Sequence, residues 1–159
     1  MTYISHSSYS QELARQIRSS HAPTLDRIEA VIHHPRSLAR PNPDWRPPTR
    51  TLPRMDGGPQ LNVAITRRRV GPRARARIKG FGERHVPAYL IEVRFTDASG
   101  ITVDSDIAEA WVRALVPSSM AGAVHEVYSP TGATFVWLVD GTFAPVYSPP
   151  SMFEGLAAA

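Results

Sequence analysis

The sequence predicts an α+β fold, in which two short N-terminal helices and a Pro-rich extended arm lead into a mostly antiparallel β-sheet with one packed helix. Three observations carry that expectation. Apolar residues recur at helical spacing between residues 8 and 34, and seven prolines (35, 41, 43, 47, 48, 53, 59) crowd residues 35–60. From Leu61 onward, apolar and polar residues alternate in short runs separated by Gly and Pro turns, with a single helical interval near residues 106–115. At 159 residues and 42% apolar content the chain is long enough for one ordinary core. The expected division is a helical segment at 1–34, an arm or linker at 35–60, a core domain at 61–150 and a tail at 151–159.

Ser8 can cap a first helix, with Gln11 three residues on and Tyr9, Leu13 and Ile17 as its apolar stripe. That helix ends near Ser20, before Pro23. Thr24 can cap a second helix, whose stripe is Leu25, Ile28 and Ile32, closed by His33-His34-Pro35. Helices of about ten residues are marginal alone, so both must dock on the body of the protein or on a partner. The prolines that follow exclude a continuous helix or central strand. Arg36, Arg40, Arg46, Arg50 and Arg54 are spread along this arm with Trp45 as its aromatic residue, a composition suited to lying on a partner surface.

Leu61, Val63 and Ile65 alternate with polar or small residues in a strand that runs into Arg67-Arg68-Arg69. Arg73 to Lys79 alternates again. Val86 to Thr96 and Ile101 to Asp104 suggest a hairpin across Asp97-Ala98-Ser99-Gly100. Asp106 with Glu109 resembles a capping box for a helix with Ile107, Trp111 and Leu115 on its inner stripe, stopped by Pro117. Ala123 to Ser129 reads as a strand beside a C-terminal hairpin, in which Thr134 to Val139 and Thr142 to Tyr147 flank Asp140-Gly141, the two-residue type I′ signature.

Charge is unevenly divided along the chain. Residues 1–91 hold 16 Arg and Lys against 6 Asp and Glu, and residues 92–159 hold 2 against 8. This asymmetry points to nucleic acid or to self-complementary assembly. On a strand, Arg73, Arg75, Arg77 and Lys79 share one face, with successive charges about 6.6 Å apart. Their repulsion in water is only about 0.6 kcal/mol per neighbouring pair, which a folded domain tolerates, so the ridge favours an anionic partner without requiring one.

The absence of cysteine excludes disulfides, thiolate metal sites and Cys nucleophiles. No sequence pattern points to a cofactor or a metal. Adjacent His33 and His34 point about 100° apart on a helix and lack a third ligand. Gly80-Phe81-Gly82 lacks the rest of a dinucleotide fingerprint. His85 and His125 are candidates for acid–base chemistry of a ribonuclease type, but spacing brings neither to a partner.

The function these features favour is nucleic-acid binding without catalysis. Arg67, Arg68, Arg69, Arg73, Arg75, Arg77, Lys79 and Arg84 are the expected phosphate contacts, and Arg36, Arg40, Trp45, Arg46, Arg50 and Arg54 form a partner-binding arm. The alternatives are a subunit of a larger assembly such as a virion or tail, which associates as an oligomer through basic and acidic surfaces, and a small nuclease. No secretory signal or membrane span is evident, which leads to the expectation of a cytoplasmic protein, or a virion protein if it is an assembly subunit.

Overall fold

A computed structural model describes residues 2–3, 8–33, 49–55, 58, 60–70, 88–97, 103–127, 132–139 and 145–146. They form an α+β fold. In chain order the elements are β1 (Thr2–Tyr3), α1 (Ser8–Ser20), α2 (Ala22–His33), β2 (Thr49–Thr51), β3 (Leu61–Arg69), β4 (Tyr89–Asp97) and α3 (Ser105–Leu115). A 3-10 helix at Ser118–Ala123, β5 (His125–Val127), β6 (Ala133–Val139) and β7 (Pro145–Val146) follow. The strands make one antiparallel sheet ordered β1-β5-β6-β4-β3-β2, with β7 also on β6.

Alternation on β3 decides which face carries the helices. Leu61, Val63 and Ile65 are buried, and they stand opposite Asp97, Phe95 and Val93 of β4. Phe95 and Val93 in turn oppose Ala133 and Phe135 of β6. These residues share one core with Leu13 and Ile17 of α1, Leu25, Ile28 and Ile32 of α2, and Ile107 and Trp111 of α3. The three helices therefore cover one face of the sheet. Phe95 and Phe135 meet edge-to-face, with centroids 6.0 Å apart, at its centre.

The inner stripe of α1 is Ser10, Leu13, Ala14 and Ile17, while Tyr9 is 53% exposed. A register of i, i+3, i+4, i+7 thus replaces the expected one through Tyr9. On α2 the expected stripe is buried as spaced. The helix begins at Ala22 rather than after Thr24, because the carbonyl of His21 accepts from the amides of Thr24 and Leu25 at 3.0 and 3.1 Å. Pro23, which has no amide to donate, fits this first turn. Both helices dock on the body of the protein: α1 lies mainly on α3, and α2 on β3 and α3.

Helix α3 departs further from its amphipathic reading. All residues from Ile107 to Arg113 are buried, because α1 covers the side turned away from the sheet. Its cap is Asp104, whose carboxylate accepts the amide of Asp106 at 2.9 Å, two residues earlier than expected.

Two expected pairings are replaced for the same reason. Both edges of β4 are occupied, by β3 along Tyr89–Asp97 and by β6 along Tyr89–Phe95, so no edge is left for a hairpin with Ile101 to Asp104. Val103 and Asp104 lie outside any strand and lead into α3. Similarly, a two-residue turn at Asp140-Gly141 would set Pro145 opposite Val136. That edge is taken by β5, where His125 already pairs with Val136. Strand β7 instead pairs Val139 with Pro145 and Leu138 with Val146, leaving five residues between β6 and β7.

The chain assigned to the arm contributes to the sheet at its end. Arg50 pairs with Val63 on β3, and Leu52 and Met55 are buried in the core. Residues 34–48, including Arg36, Arg40, Trp45 and Arg46, lie outside the described residues, as do the strand expected at Arg73 to Lys79 and the tail at 151–159.

Candidate nucleic-acid interface

The Arg67-Arg68-Arg69 run is divided by the pleat of β3. Arg67 falls on the helix-covered face, directly opposite Ile91, and is 3% exposed. Its Nη1 donates to the carbonyl of Ile32 at 2.6 Å, and its guanidinium lies 5.5 Å from the centre of the Tyr89 ring. The Ile32 carbonyl belongs to the last turn of α2, where peptide oxygens lack helical partners and the helix dipole is negative. Desolvation lowers the guanidinium pKa, and Tyr89 acts in the opposite direction. Arg67 therefore anchors a helix end inside the fold and is no surface contact.

Arg68 projects to the other face, and Arg69, back on the side of Arg67 and opposite Tyr89, is exposed at the strand end. Burial lowers the pKa of the half-buried Arg68 guanidinium, and Glu92 opposes that shift. The register sets Glu92 opposite Thr66, diagonal to Arg68, and sets exposed Arg94 opposite Ala64. Arg68 and Arg94 are thus four residue steps apart along the ladder, roughly 13 Å. At physiological salt that exceeds the screening length of about 8 Å, so the two cations coexist at little cost.

Around them the face that no described helix covers, here the open face, carries the half-buried Asn62, Thr66 and Thr96, with Thr51 donating to the Asn62 amide oxygen at 3.1 Å from β2. The same face is closed toward β6, where Leu90, Val136 and Leu138 are buried. Polar groups and cations therefore gather on the β2–β3–β4 end. Arg50 and Arg54, both exposed, belong to the same end of the sheet. Arg73, Arg75, Arg77, Lys79 and Arg84 lie outside the described residues. Arg94 is a member of this surface that sequence reading missed, because its place in the acidic second half hid a spatial neighbour of Arg68.

Carboxylates collect elsewhere. Asp106 and Glu109 of α3 and Glu126 of β5 interact, and the Glu126 pKa is raised by burial first and by the charges of Glu109 and Asp106 second. Glu109 and Arg113, both buried, form an i,i+4 ion pair at 3.7 Å. Among the described residues no group of three or more His, Asp or Glu is placed to hold a metal ion. His125 is wholly buried opposite Val136, on the face away from Glu126. The two neighbours share no site, and His85 lies outside the described residues.

No protein-family model, curated protein or solved structure matches the chain. Among the described residues no helix is long and apolar enough to cross a membrane.

Proposed function

We propose that this protein binds nucleic acid without catalysis, through backbone phosphates, on the open face of β2–β4. The observation that supports this reading most is the surface where Arg68 and Arg94 stand among Thr and Asn side chains. Guanidinium groups make forked, charge-assisted bonds to phosphate, and hydroxyl and amide groups add neutral ones. The same strand leads directly into the chain that holds Arg73, Arg75, Arg77, Lys79 and Arg84. Glu92 narrows the patch and disfavours an anion lying directly over it. Among the described residues no array of base-reading groups stands on this face, so affinity is expected to be high at low salt and weakly dependent on sequence.

The test is equilibrium binding of a duplex and a single strand across a salt series, with solution mass measured in parallel. Contact with four to eight phosphates gives a log–log slope of roughly −3.6 to −7 on duplex DNA. Absence of binding at low salt overturns the proposal. Salt-sensitive oligomers that bind no nucleic acid would favour assembly through complementary charge instead.

A further inference from the structure

A second polar feature lies on the helical side, where α1 and α2 meet. His21 is the single residue between them. Its amide donates to the Ile17 carbonyl at 2.8 Å, closing α1, and its own carbonyl opens α2. Its ring lies against the buried Trp111 indole, centroids 5.9 Å apart and planes tilted by 33°. Backbone and ring are therefore both held, and the imidazole stays half-exposed.

The facing wall comes from the connection between β2 and β3. The Leu52 amide donates to Leu61 at 2.8 Å, the Gly58 amide to Met55 at 2.7 Å, and the Gln60 side-chain amide to the Leu52 carbonyl. A Cβ at Gly58 would stand 2.8 Å from the Met55 oxygen and 3.2 Å from Ile107 Cδ1, so only glycine permits this close approach. Met55 is anchored in the core while Arg54 is exposed.

Between the walls is a cleft of about 120 Å³ lined by Gln16, Ser20, His21, Arg54 and Met55. It holds more than one water, whose share of liquid volume is about 30 Å³, but is well below the roughly 300 Å³ of a small-molecule pocket. Among the described residues, four of the five lining side chains can donate hydrogen bonds and none of the five is a carboxylate. A small group rich in acceptors matches these properties.

We propose that this cleft is a binding subsite for a tetrahedral phosphoryl oxyanion, with Arg54 supplying the charged contact and Gln16, Ser20 and His21 supplying further hydrogen-bond donors around it. The site is separate from the open sheet face, and its occupation does not depend on nucleic-acid binding there.

The experiment follows backbone amide resonances of Ser20 and His21 and the Arg54 Nε resonance in the full chain. It titrates inorganic phosphate against chloride at matched ionic strength. Saturable shifts at all three are expected, with affinity reduced about tenfold in Arg54→Gln, which removes the charge at an exposed position. Ser20→Ala should weaken binding less, and an unchanged thermal midpoint in each variant shows that the fold is intact. A parallel titration uses a short oligonucleotide with and without a 5′-phosphate. Shifts that require the oligonucleotide phosphate and fail in Arg54→Gln support the subsite and assign its occupant to nucleic acid. No saturable shift with either source, or equal affinity in Arg54→Gln, overturns the proposal.

Discussion

Arg67 is 3% exposed, yet its side chain ends in five N–H donors, so it must satisfy them inside the fold. The Ile32 carbonyl and the Tyr89 ring are two of its partners. Arg18 makes the same kind of contact from α1, donating to the Arg113 carbonyl near the C-terminal end of α3. Two arginines that a charge count assigns to the surface thus complement helix C-termini. Arg67→Ala is expected to cost about 2–3 kcal/mol, because it leaves a buried helix-end carbonyl unsatisfied and removes packed methylenes. Arg67→Lys should recover part of that loss. Urea unfolding measures both, and an alanine variant as stable as the parent would contradict the anchoring role. Glu126 gives a pH prediction at the same scale. Its pKa in the folded state lies above the ordinary 4.5, through burial and the charges of Glu109 and Asp106. Folding therefore favours its protonated form. Its favourable contribution is fully present below 4.5 and is lost as pH rises through the elevated folded value. Glu126→Gln should accordingly be more stable than the parent at neutral pH, with the difference closing as pH falls toward 4.5. A gain that is constant across that window would point to packing rather than ionisation.

Among elements, strand β6 is the most constrained, because β4 occupies one of its edges while β5 and β7 divide the other. Gly132 precedes it, and a Cβ there would lie 2.5 Å from the Phe95 carbonyl oxygen and 3.4 Å from Thr96 Cγ2. The obstacle at 2.5 Å is backbone, which cannot swing aside, so the start of β6 would have to leave β4. Gly132→Ala should cost about 1–3 kcal/mol, in the range of other overpacking changes. A urea midpoint equal to the parent's would mean that the junction relaxes more easily than this geometry allows. The competition for β6 also explains what could be read from the sequence. Helix α2 and strands β3 and β4 were legible because each repeats its own period long enough to count, whereas β6, buried at every position, was legible as an apolar run before Asp140-Gly141. Strands β1 and β2, of two and three residues, repeat nothing, and the fate of Asp140-Gly141 depended on β5 already holding Val136. For the candidate surface, Arg68 and Arg69 were legible as a cationic strand end. The burial of Arg67 required knowing which face the helices cover, and joining His21 to Arg54 required knowing where the β2–β3 connection folds back.

At the scale of the whole molecule, the division of charge along the chain becomes a division across the sheet. Arg50, Arg54, Arg68, Arg69 and Arg94 belong to the β2–β4 end, while Asp104, Asp106 and Glu126 lie around the start of α3 and β5. Strand β5 lies two inter-strand steps of about 4.8 Å from β4 and three from β3, so the two ends stand roughly 10 to 14 Å apart. That distance exceeds the screening length of about 8 Å at physiological salt but falls well inside the 30 Å of very dilute buffer. The acidic end should therefore not quench the basic end under ordinary conditions. Neutralising it with Asp104→Asn and Asp106→Asn keeps a capping side chain at 104 and should leave nucleic-acid affinity unchanged at physiological salt, with a gain appearing only in dilute buffer. Arg68→Gln and Arg94→Gln should instead weaken binding to all sequences alike, each lowering the magnitude of the salt slope by about 1. The same variants separate binding from assembly. If complementary ends join copies of the chain, the Asp104→Asn and Asp106→Asn pair would dissolve salt-sensitive oligomers in sedimentation as effectively as the arginine changes do. If phosphate is the partner, only the arginine changes act, and they act on the nucleic-acid complex rather than on the mass of the free protein.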